Sequence, residues 1–358
     1  MSWKDHLREA VFGLELYRPF EYRPGLVRLD ANECSFPLEQ EDRELMAGAL
    51  SEVLVHRYPE VSGRPLREAL AVRWRVSPDQ IILGNGSDEI ISILYTAFGA
   101  GRAGKPAKTL FPTPTFGTFE AAALARGMVP VKVPLDDRFQ LDEAAIAEAM
   151  RREEPALALF ATPNNPTGNR FDSAVLGRLA ERFGGVFVAD EAYADFSGRS
   201  ELARVKEGAS FCVMKSLSKI GFAALRLGAL VGPPDLIAQL DKVRLPYNVN
   251  AVSIALARAL LANPARLEAR IARVTAARED LERRLRDVSG LAVYPSDANF
   301  VLVRTPVDGR GVYERMLARG VLVRNLSRPG PLENCLRITA GTPEENEQCL
   351  AALRAAVQ

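Results

Sequence analysis

The chain has 358 residues, of which 47% are hydrophobic and 25% charged, and its formal net charge is +1. This composition is typical of a globular protein with room for about two domains, and it excludes a disordered chain or a small disulfide-stabilised protein. The near-zero net charge provides no general attraction for nucleic acid or for an anionic membrane, so we expect neither partner. Any anion that the protein binds must therefore be held by individually placed residues.

Cysteine, histidine and targeting signals narrow the possibilities further. The four cysteines form no C-x-x-C pair, and the only histidines are His6 and His56. A histidine-rich metal site or a Ser-His-Asp triad is therefore not expected, and we predict no metal. The N-terminal residues lack the apolar core of a signal peptide, and no apolar run reaches the roughly 20 residues that span a bilayer. We therefore expect a cytoplasmic protein with reduced thiols.

Apolar segments of strand length alternate with segments of helical period through the first two thirds of the chain. The predicted strands are 81–84, 108–111, 128–133, 156–161, 186–190, 211–215 and 227–232, and the predicted helices are 89–98, 116–126, 142–152 and 172–183. This alternation predicts an α/β fold with a mostly parallel sheet between helices.

The pattern changes around Pro246. A long Ala-, Arg- and Leu-rich helical stretch (252–288), interrupted at Asn263–Pro264, precedes short strands at 291–294, 300–303, 321–323 and 335–338 and helices near 310–319 and 343–356. This predicts a second, smaller α+β unit. The first residues contain three prolines and little periodicity, which favours an extended arm. We divide the chain into an N-terminal arm (1–40), a large domain (41–246) and a small C-terminal domain (247–358).

Three residues near predicted strand ends could carry chemistry. Lys219, in SLSKIGF, is either a solvated surface lysine or, if buried, a nucleophilic amine able to form a Schiff base with an aldehyde cofactor. Asp190 ends the apolar strand VFVAD, where α/β sheets bind ligands. It is either a cap or ion-pair partner or, beside such a lysine, the anion that keeps a pyridine nitrogen protonated. Tyr193 can reach the same ring or be a half-buried aromatic with a satisfied hydroxyl.

Two loops also follow predicted strands. In the rigid turn PNNPTG (163–168), the following proline would fix the side chain of Asn165 so that it could donate to a cofactor oxygen, although an ordinary turn is the alternative. GNGSDE (84–89) precedes a helix, where the amides of Gly86, Ser87 and Asp88 could form a phosphate cradle. Ser87 and Asp88 could equally be helix caps. Neither loop alone identifies a function.

The order of these segments resembles a known family. The segments GNGSDE, PTPTF (112–116), PNNPTG, DEAY (190–193) and SLSK (216–219), with an arginine soon after, are similar to the motifs of fold-type I pyridoxal-phosphate aminotransferases. Among them the chain most resembles the histidinol-phosphate aminotransferases, through LDANE (29–33), HRYPE (56–60) and LRITAGTPEEN (336–346). The resemblance covers nearly the whole chain. It implies the fold-type I architecture with a seven-stranded sheet, and pyridoxal 5'-phosphate as the cofactor.

The resemblance also implies a role for each matching position. Lys219 would bind the cofactor covalently and move a proton, Asp190 would pair with the pyridinium, Tyr193 and Asn165 would contact the phenolic oxygen, and Phe116 would stack on the ring. The cofactor phosphate would be held by Ser87, Asp88, Ser216, Ser218 and Arg226, and by Tyr58 of a partner subunit. A homodimer with shared sites is thereby implied.

Substrate contacts are implied for a further set of residues. Arg337 would bind the α-carboxylate and Arg324 the side-chain phosphate, with Asn32 and Tyr22 also at the substrate. Arg324 could alternatively be a solvated arginine at the end of a strand. The implied reaction is transamination between a small-molecule amino donor, L-histidinol phosphate, and a 2-oxo acid acceptor, 2-oxoglutarate. An aromatic amino-acid aminotransferase, a threonine-phosphate decarboxylase-like enzyme and a catalytically silent homologue remain open.

Three places depart from the family pattern. Arg226 follows Lys219 by seven residues rather than the frequent eight, so we expect a shortened loop that still returns the guanidinium to the site. Cys34 and Ser35 replace a frequent Asn-Pro pair, and Phe20 stands where a phosphate-binding tyrosine is frequent.

Overall fold

The strands of the protein form two separate sheets. The structure is a computed structural model that describes residues 2–16, 20–21, 23–101, 105–205 and 210–358. Within these residues one sheet has seven strands and the other five. The strands are β1 (Val27–Leu29), β2 (Ile81–Gly84), β3 (Lys108–Thr113), β4 (Val129–Pro134), β5 (Leu157–Ala161), β6 (Val186–Asp190), β7 (Phe211–Ser216), β8 (Gly228–Val231), β9 (Ala292–Val293), β10 (Phe300–Arg304), β11 (Val321–Asn325) and β12 (Cys335–Thr339).

The helices begin where the sequence supplies caps. Asp142, Asp172 and Asn263 each accept a hydrogen bond from a backbone N–H in the first turn of the helix that follows. The helices are α1 (Glu9–Phe12), α2 (Gln40–Ser51), α3 (Arg64–Trp74), α4 (Ser87–Phe98), α5 (Thr118–Ala125), α6 (Glu143–Glu153), α7 (Ser173–Glu181), α8 (Leu202–Val205), α9 (Pro234–Asp241), α10 (Ala251–Leu261), α11 (Pro264–Arg286), α12 (Gly309–Ala318) and α13 (Pro343–Val357). None of the described helices combines the length and apolar character needed to cross a bilayer.

The larger sheet confirms the predicted α/β fold. Its order is β2-β8-β7-β6-β5-β3-β4, and only β8 runs against the other strands. The central strands β5, β6 and β7 are buried along their whole length because both faces are covered. On one face the rings of Phe160, Phe187 and Phe211 stack in a row, with centroids 4.7 and 5.3 Å apart.

The smaller sheet has the order β1-β11-β12-β10-β9. Its core is formed with α12 and α13 and includes Val301, Val312, Ile338 and Leu353, each fully buried. The first forty residues were expected to be an extended arm, but Val27–Leu29 forms strand β1, which pairs in parallel with β11. Three residues are too few to show a strand period, and the pairing partner lies almost 300 residues away. The division of the chain into an arm and two domains remains a prediction.

Candidate active site

The carboxyl ends of β5, β6 and β7 lie side by side at one edge of the larger sheet. Asp190 is the last residue of β6 and Ser216 the last of β7, while Asn165 follows β5 in the turn. Parallel α/β sheets bind ligands at this edge. A cavity of about 380 Å³ opens here, which is within the usual size range of small-molecule sites.

Most of the residues predicted for the cofactor line this one cavity. They are Ser87, Asp88, Phe116, Asn165, Asp190, Tyr193, Ser216, Ser218, Lys219 and Arg226. Six further residues, which the sequence does not mark as cofactor contacts, complete the lining: Ala31, Glu33, Ala161, Ala192, Ala223 and Ala224. Small alanines carry no chemical signal in a sequence, although Ala31 and Glu33 belong to the segment LDANE. Among the described residues, no group of histidine, cysteine and acidic side chains could hold a metal ion.

Lys219 projects its amine into the cavity from an irregular helical segment, Ser218–Phe222. Gly221 has a φ of 106°, a conformation that glycine adopts without strain, and it interrupts the segment. The Nζ of Lys219 lies 3.5 Å from the carbonyl oxygen of Ala31 and 5.7 Å from the ring centroid of Tyr193. Lys219 is therefore a cavity residue and not a solvated surface lysine.

Asp190 places a carboxyl group in the wall of the cavity where little solvent reaches it. Its side-chain Oδ1 accepts a hydrogen bond of 3.0 Å from the backbone N–H of Ala192. Burial is the largest effect and raises the pKa of Asp190, the charges of Asp88 and Glu191 act in the same direction, and the Ala192 N–H and the Lys219 amine oppose them. The resulting pKa is about 7. A cation in the cavity would restore the charge of this carboxylate.

The N-terminus of α4 forms a cradle for an anion. Gly86 has a φ of 83°, and a Cβ at this position would lie only 2.6 Å from Nη2 of Arg226. Arg226 itself adopts the left-handed conformation, and its Nη1 lies 3.4 Å from Oγ of Ser218 while Nη2 lies 3.5 Å from Asp88. The shortened loop thus returns the guanidinium to the cavity. Helix amides, serine hydroxyls and a guanidinium together suit a phosphate group.

Two residues outside the larger sheet contact Tyr193 and Asn165. They are Asn32, which follows β1, and Arg337, in β12. Nδ2 of Asn32 donates to the Tyr193 hydroxyl at 2.9 Å. Nη1 of Arg337 donates to Oδ1 of Asn165 at 2.6 Å. This bond occupies the amide oxygen of Asn165 and leaves its amide nitrogen to donate. Phe116 packs edge-on against Phe119, with ring centroids 5.8 Å apart.

Arg337, one of the two predicted substrate arginines, contacts the cavity residue Asn165, and Arg324 is its neighbour on the adjacent strand. Arg337, in β12, is 9% exposed, and its Nη2 donates to the carbonyl oxygen of Asp30 at 2.6 Å. Arg324, in β11, is directly opposite Arg337 in the antiparallel ladder. Directly opposed residues project from the same face of a sheet, so both guanidinium groups belong to one face.

Asn32 and Tyr58 do not line the cavity. Asn32 is 1% exposed, and its amide is hydrogen-bonded to Tyr193 and Thr339. Tyr58 is 81% exposed and stacks on Tyr247, with ring centroids 4.6 Å apart. Tyr22 lies outside the described residues.

The other two departures from the family pattern, at Cys34–Ser35 and at Phe20, lie away from the lining. The Cys34 thiol approaches the carbonyl oxygen of Phe36 at 3.7 Å, and Phe20 lies under the guanidinium of Arg23 at 5.4 Å.

Comparisons with known proteins identify the family of the chain. Residues 24–353 match the model of the family described as aminotransferase class I and II. The chain belongs to this family. It is 41% identical to histidinol-phosphate aminotransferase 2 of Cupriavidus pinatubonensis (93% of this chain and 92% of that protein) and 42% identical to histidinol-phosphate aminotransferase of Methylibium petroleiphilum (97% and 94%). A solved structure of histidinol-phosphate aminotransferase from Sinorhizobium meliloti, in complex with pyridoxal-5'-phosphate, is similar with a TM-score of 0.83 and 26% identity, covering 92% of this chain and 90% of that one.

Aminotransferases of class I and II depend on pyridoxal phosphate, and the cavity fits this cofactor. The amine of Lys219 suits its aldehyde, the buried carboxyl of Asp190 suits its pyridine nitrogen, and the cradle at Gly86 suits its phosphate. The predicted family and cofactor are thereby confirmed, whereas the role of each individual residue remains a prediction.

Proposed function

We propose that the protein transfers an amino group between L-histidinol phosphate and 2-oxoglutarate, with glutamate as the donor in the biosynthetic direction. The observation that carries this proposal is the arginine pair Arg324 and Arg337, of which Arg337 contacts the cavity residue Asn165. Two guanidinium groups on one sheet face concentrate positive charge where the anionic groups of a substrate must lie. Relatives that share about two fifths of their residues with nearly the whole chain bear the name of this activity.

The two substrates differ in where they carry negative charge. Glutamate has an α-carboxylate and a side-chain carboxylate, whereas histidinol phosphate has a phosphate and no α-carboxylate. A guanidinium fork matches the geometry of both carboxylate and phosphate. Arg337 would therefore bind the α-carboxylate of glutamate, and Arg324 the distal anion of either substrate. This division explains how one cavity accepts both.

The residues of the cavity divide the chemistry among them. Pyridoxal phosphate supplies an aldehyde that takes up the amino group and a ring that accepts electrons. The Lys219 amine would hold the cofactor and then move a proton at the substrate Cα. Asp190 would keep the ring nitrogen charged, and Tyr193 and Asn165 would donate hydrogen bonds to the phenolic oxygen. Phe116 would cover one face of the ring and exclude water from it.

Substitution of the two arginines should separate the two half-reactions. Arg324→Ala should lower the apparent affinity for both substrates by about a hundredfold, because each substrate loses a charge-assisted contact of about 2–3 kcal/mol. Arg337→Ala should damage the glutamate half-reaction more than the histidinol phosphate half-reaction. Stopped-flow absorbance of each half-reaction measures both effects. Arg310→Ala is the matched control, since Arg310 is 77% exposed and pairs with Glu314 on the surface of α12. Equal losses for both substrates in Arg337→Ala would contradict the division.

A substrate panel distinguishes this function from its rivals. An aromatic amino-acid aminotransferase should tolerate Arg324→Ala, because a neutral aromatic side chain needs no distal cation. A threonine-phosphate decarboxylase should release carbon dioxide from its substrate. The proposed enzyme should react faster with phosphorylated than with unphosphorylated amino donors and should release no carbon dioxide.

We further propose a cytoplasmic homodimer in which Tyr58 reaches the cofactor phosphate of the partner subunit. Within one chain Tyr58 does not line the cavity, and its 81% exposure leaves the ring available to another subunit. Large apolar side chains near it in sequence or beside its stacking partner Tyr247 are also exposed, as expected for a surface that another copy covers. They are Leu54, Val55, Val61 and Leu245.

Mixing two inactive variants tests the shared site. Tyr58→Ala and Lys219→Ala should each lose activity as homodimers. Hybrid dimers should regain part of it, because one of their two sites combines an intact Lys219 with an intact Tyr58 of the partner. Sedimentation establishes the dimer, and affinity tags on the two variants establish hybrid formation. Proven hybrids without recovered activity would rule out the shared site.

A further inference from the structure

Asn32 lies where the smaller sheet meets the cavity, and its side chain contacts a cavity residue without lining the cavity itself. We propose that Asn32 is a positioning residue that fixes the direction in which the Tyr193 hydroxyl donates its proton. The inference rests on the proposed function because it concerns the same site. It assigns to Asn32 a different role from the substrate contact that the sequence predicted.

The backbone of Asn32 is held rigidly on both sides. Its N–H donates to Oγ1 of Thr339, at the end of β12, at 3.0 Å. Its carbonyl oxygen accepts from Nδ2 of Asn299, immediately before β10, at 3.0 Å. The residue has a φ of 54°, a left-handed conformation that asparagine, aspartate and glycine adopt more readily than other residues. The position of the Asn32 backbone and the direction of its side chain are therefore fixed.

The hydrogen bonds around Asn32 determine which end of its amide faces Tyr193. The Thr339 hydroxyl accepts from the Asn32 N–H, so its own hydrogen is free to donate to Asn32 Oδ1, 3.1 Å away. Nδ2 of Asn32 then faces the Tyr193 oxygen at 2.9 Å. In this orientation each of these donors has an acceptor. In the reversed orientation the amide nitrogen would face Thr339, and the threonine hydrogen would lose Oδ1 as its acceptor.

The orientation of the amide has a consequence for Tyr193. A phenol oxygen that accepts a hydrogen bond from one side directs its single hydrogen to another side. Tyr193 is 5% exposed and its other surroundings include the cavity that it lines, so the hydrogen points there. It can then donate to the phenolic oxygen of the bound cofactor and stabilise that oxygen in its anionic form.

The two residues before Asn32 also contact residues of the site. The carbonyl oxygen of Asp30 accepts from Arg337, and that of Ala31 lies 3.5 Å from the Lys219 amine. Three consecutive residues thus contact Arg337, Lys219 and Tyr193 in turn. The segment 30–32 therefore connects the smaller sheet to the cavity residues. Within this segment, Asn32 acts on the cofactor through Tyr193.

The test is a pH titration of the visible absorption band of the holoenzyme. Asn32→Asp is nearly isosteric, keeps the left-handed backbone and, when ionised, only accepts hydrogen bonds. It should turn the Tyr193 hydrogen away from the cofactor and raise the pKa of the band by about one pH unit. Asn32→Gly also tolerates the backbone and adds no charge. It should cause a smaller rise in the same direction, because the hydroxyl is then free to rotate.

Tyr193→Phe separates the effect of the hydroxyl from that of the added charge. In that background Asn32→Gly should leave the titration unchanged, and Asn32→Asp should shift it less than in the wild-type background. Equal shifts with and without the Tyr193 hydroxyl, or no shift in either Asn32 variant, would overturn the inference. Cofactor content and thermal unfolding confirm that each variant is folded and loaded. A wild-type protein without a titrating band would overturn the proposed function as well, whereas a band insensitive to Asn32 would overturn this inference alone.

Discussion

Replacing Lys219 by alanine should reduce transamination by at least about 10⁴-fold, because both the covalent hold on the cofactor and the proton transfer at the substrate are lost. The amine lines the cavity beside the Ala31 carbonyl and the Tyr193 ring. Stopped-flow absorbance of each half-reaction measures the loss. Borohydride should bleach the visible band of the wild-type protein and attach the cofactor to Lys219, which peptide mapping identifies.

Two other lysines make this prediction specific. Lys215, at the end of β7, has a side chain only 7% exposed and forms an ion pair of 2.6 Å with Glu191. Lys215 is buried, as a reactive lysine would be, but its amine is paired with the Glu191 carboxylate. Lys242 is exposed and donates to Gln239 on its own helix, so Lys242→Ala is the matched control and should keep both activity and label. A label on Lys215, or on no lysine, would refute the assignment.

The central sheet could be predicted from the sequence because its strands are buried on both faces. The predicted strand 186–190 is β6 to the residue, and the predicted 211–215 differs from β7 by one residue. Continuous apolar runs between turn residues carry this signal without any knowledge of the partners. The same runs locate Asp190 and Ser216 at strand ends, which is why part of the site could be predicted as well.

Elements that bury little apolar surface could not be predicted in this way. Helix α2 fully buries only Asp42 of its 12 residues, and its Leu45 and Leu50 stay exposed. The ion pair of 2.5 Å between Asp42 and Arg270 of α11 helps to hold it in place, and no local pattern reveals such a pair. Helix α9, which has eight residues, was also not predicted. Strand β1 exists only because β11 offers it a partner.

The contacts that orient the cavity residues are long-range, and they were missed for the same reason. Asn32 and Tyr193 are separated by 161 residues, and Asn165 and Arg337 by 172. The resemblance to aminotransferases indicated that all four belong to the site. It did not indicate that Asn32 is only 1% exposed or that its amide nitrogen donates to Tyr193, because both depend on residues that are far apart in the sequence.

Replacing Asp190 by asparagine should lower turnover by at least about 10³-fold while leaving the fold intact. The amide is nearly isosteric and keeps an oxygen that can accept from the Ala192 N–H. It carries no charge, so it cannot hold the ring nitrogen of the cofactor protonated, and the ring becomes a weaker acceptor of electrons. Single-turnover measurements with glutamate separate this chemical effect from substrate binding. Near-normal turnover would remove Asp190 from the reaction.

Asp190→Asn, which should lower turnover, should raise the stability of the protein without cofactor. Burial raises the folded-state pKa of Asp190 to about 7, above the ordinary value of 3.8 that applies when the chain is unfolded. Folding therefore favours the neutral carboxyl. The contribution of this carboxyl to the free energy of unfolding is complete below about pH 4 and is lost as the pH rises to about 7. Asparagine does not ionise and avoids this loss. At pH 8 the cofactor-free Asp190→Asn protein should be more stable than the wild type by up to about 4 kcal/mol.

Thermal unfolding between pH 4 and pH 8, with and without pyridoxal phosphate, measures the difference in stability between the wild type and Asp190→Asn. Without cofactor, the advantage of the variant should vanish near pH 4, where the wild-type carboxyl is protonated in both states. With cofactor, the order should reverse at pH 8, because the pyridinium compensates the Asp190 charge and cannot do so for an amide. A cofactor-free variant that is less stable than the wild type at pH 8 would show that Asp190 is a structural carboxylate with a partner in the folded chain. The reversal on adding cofactor is the signature of a charge that the protein buries for its ligand.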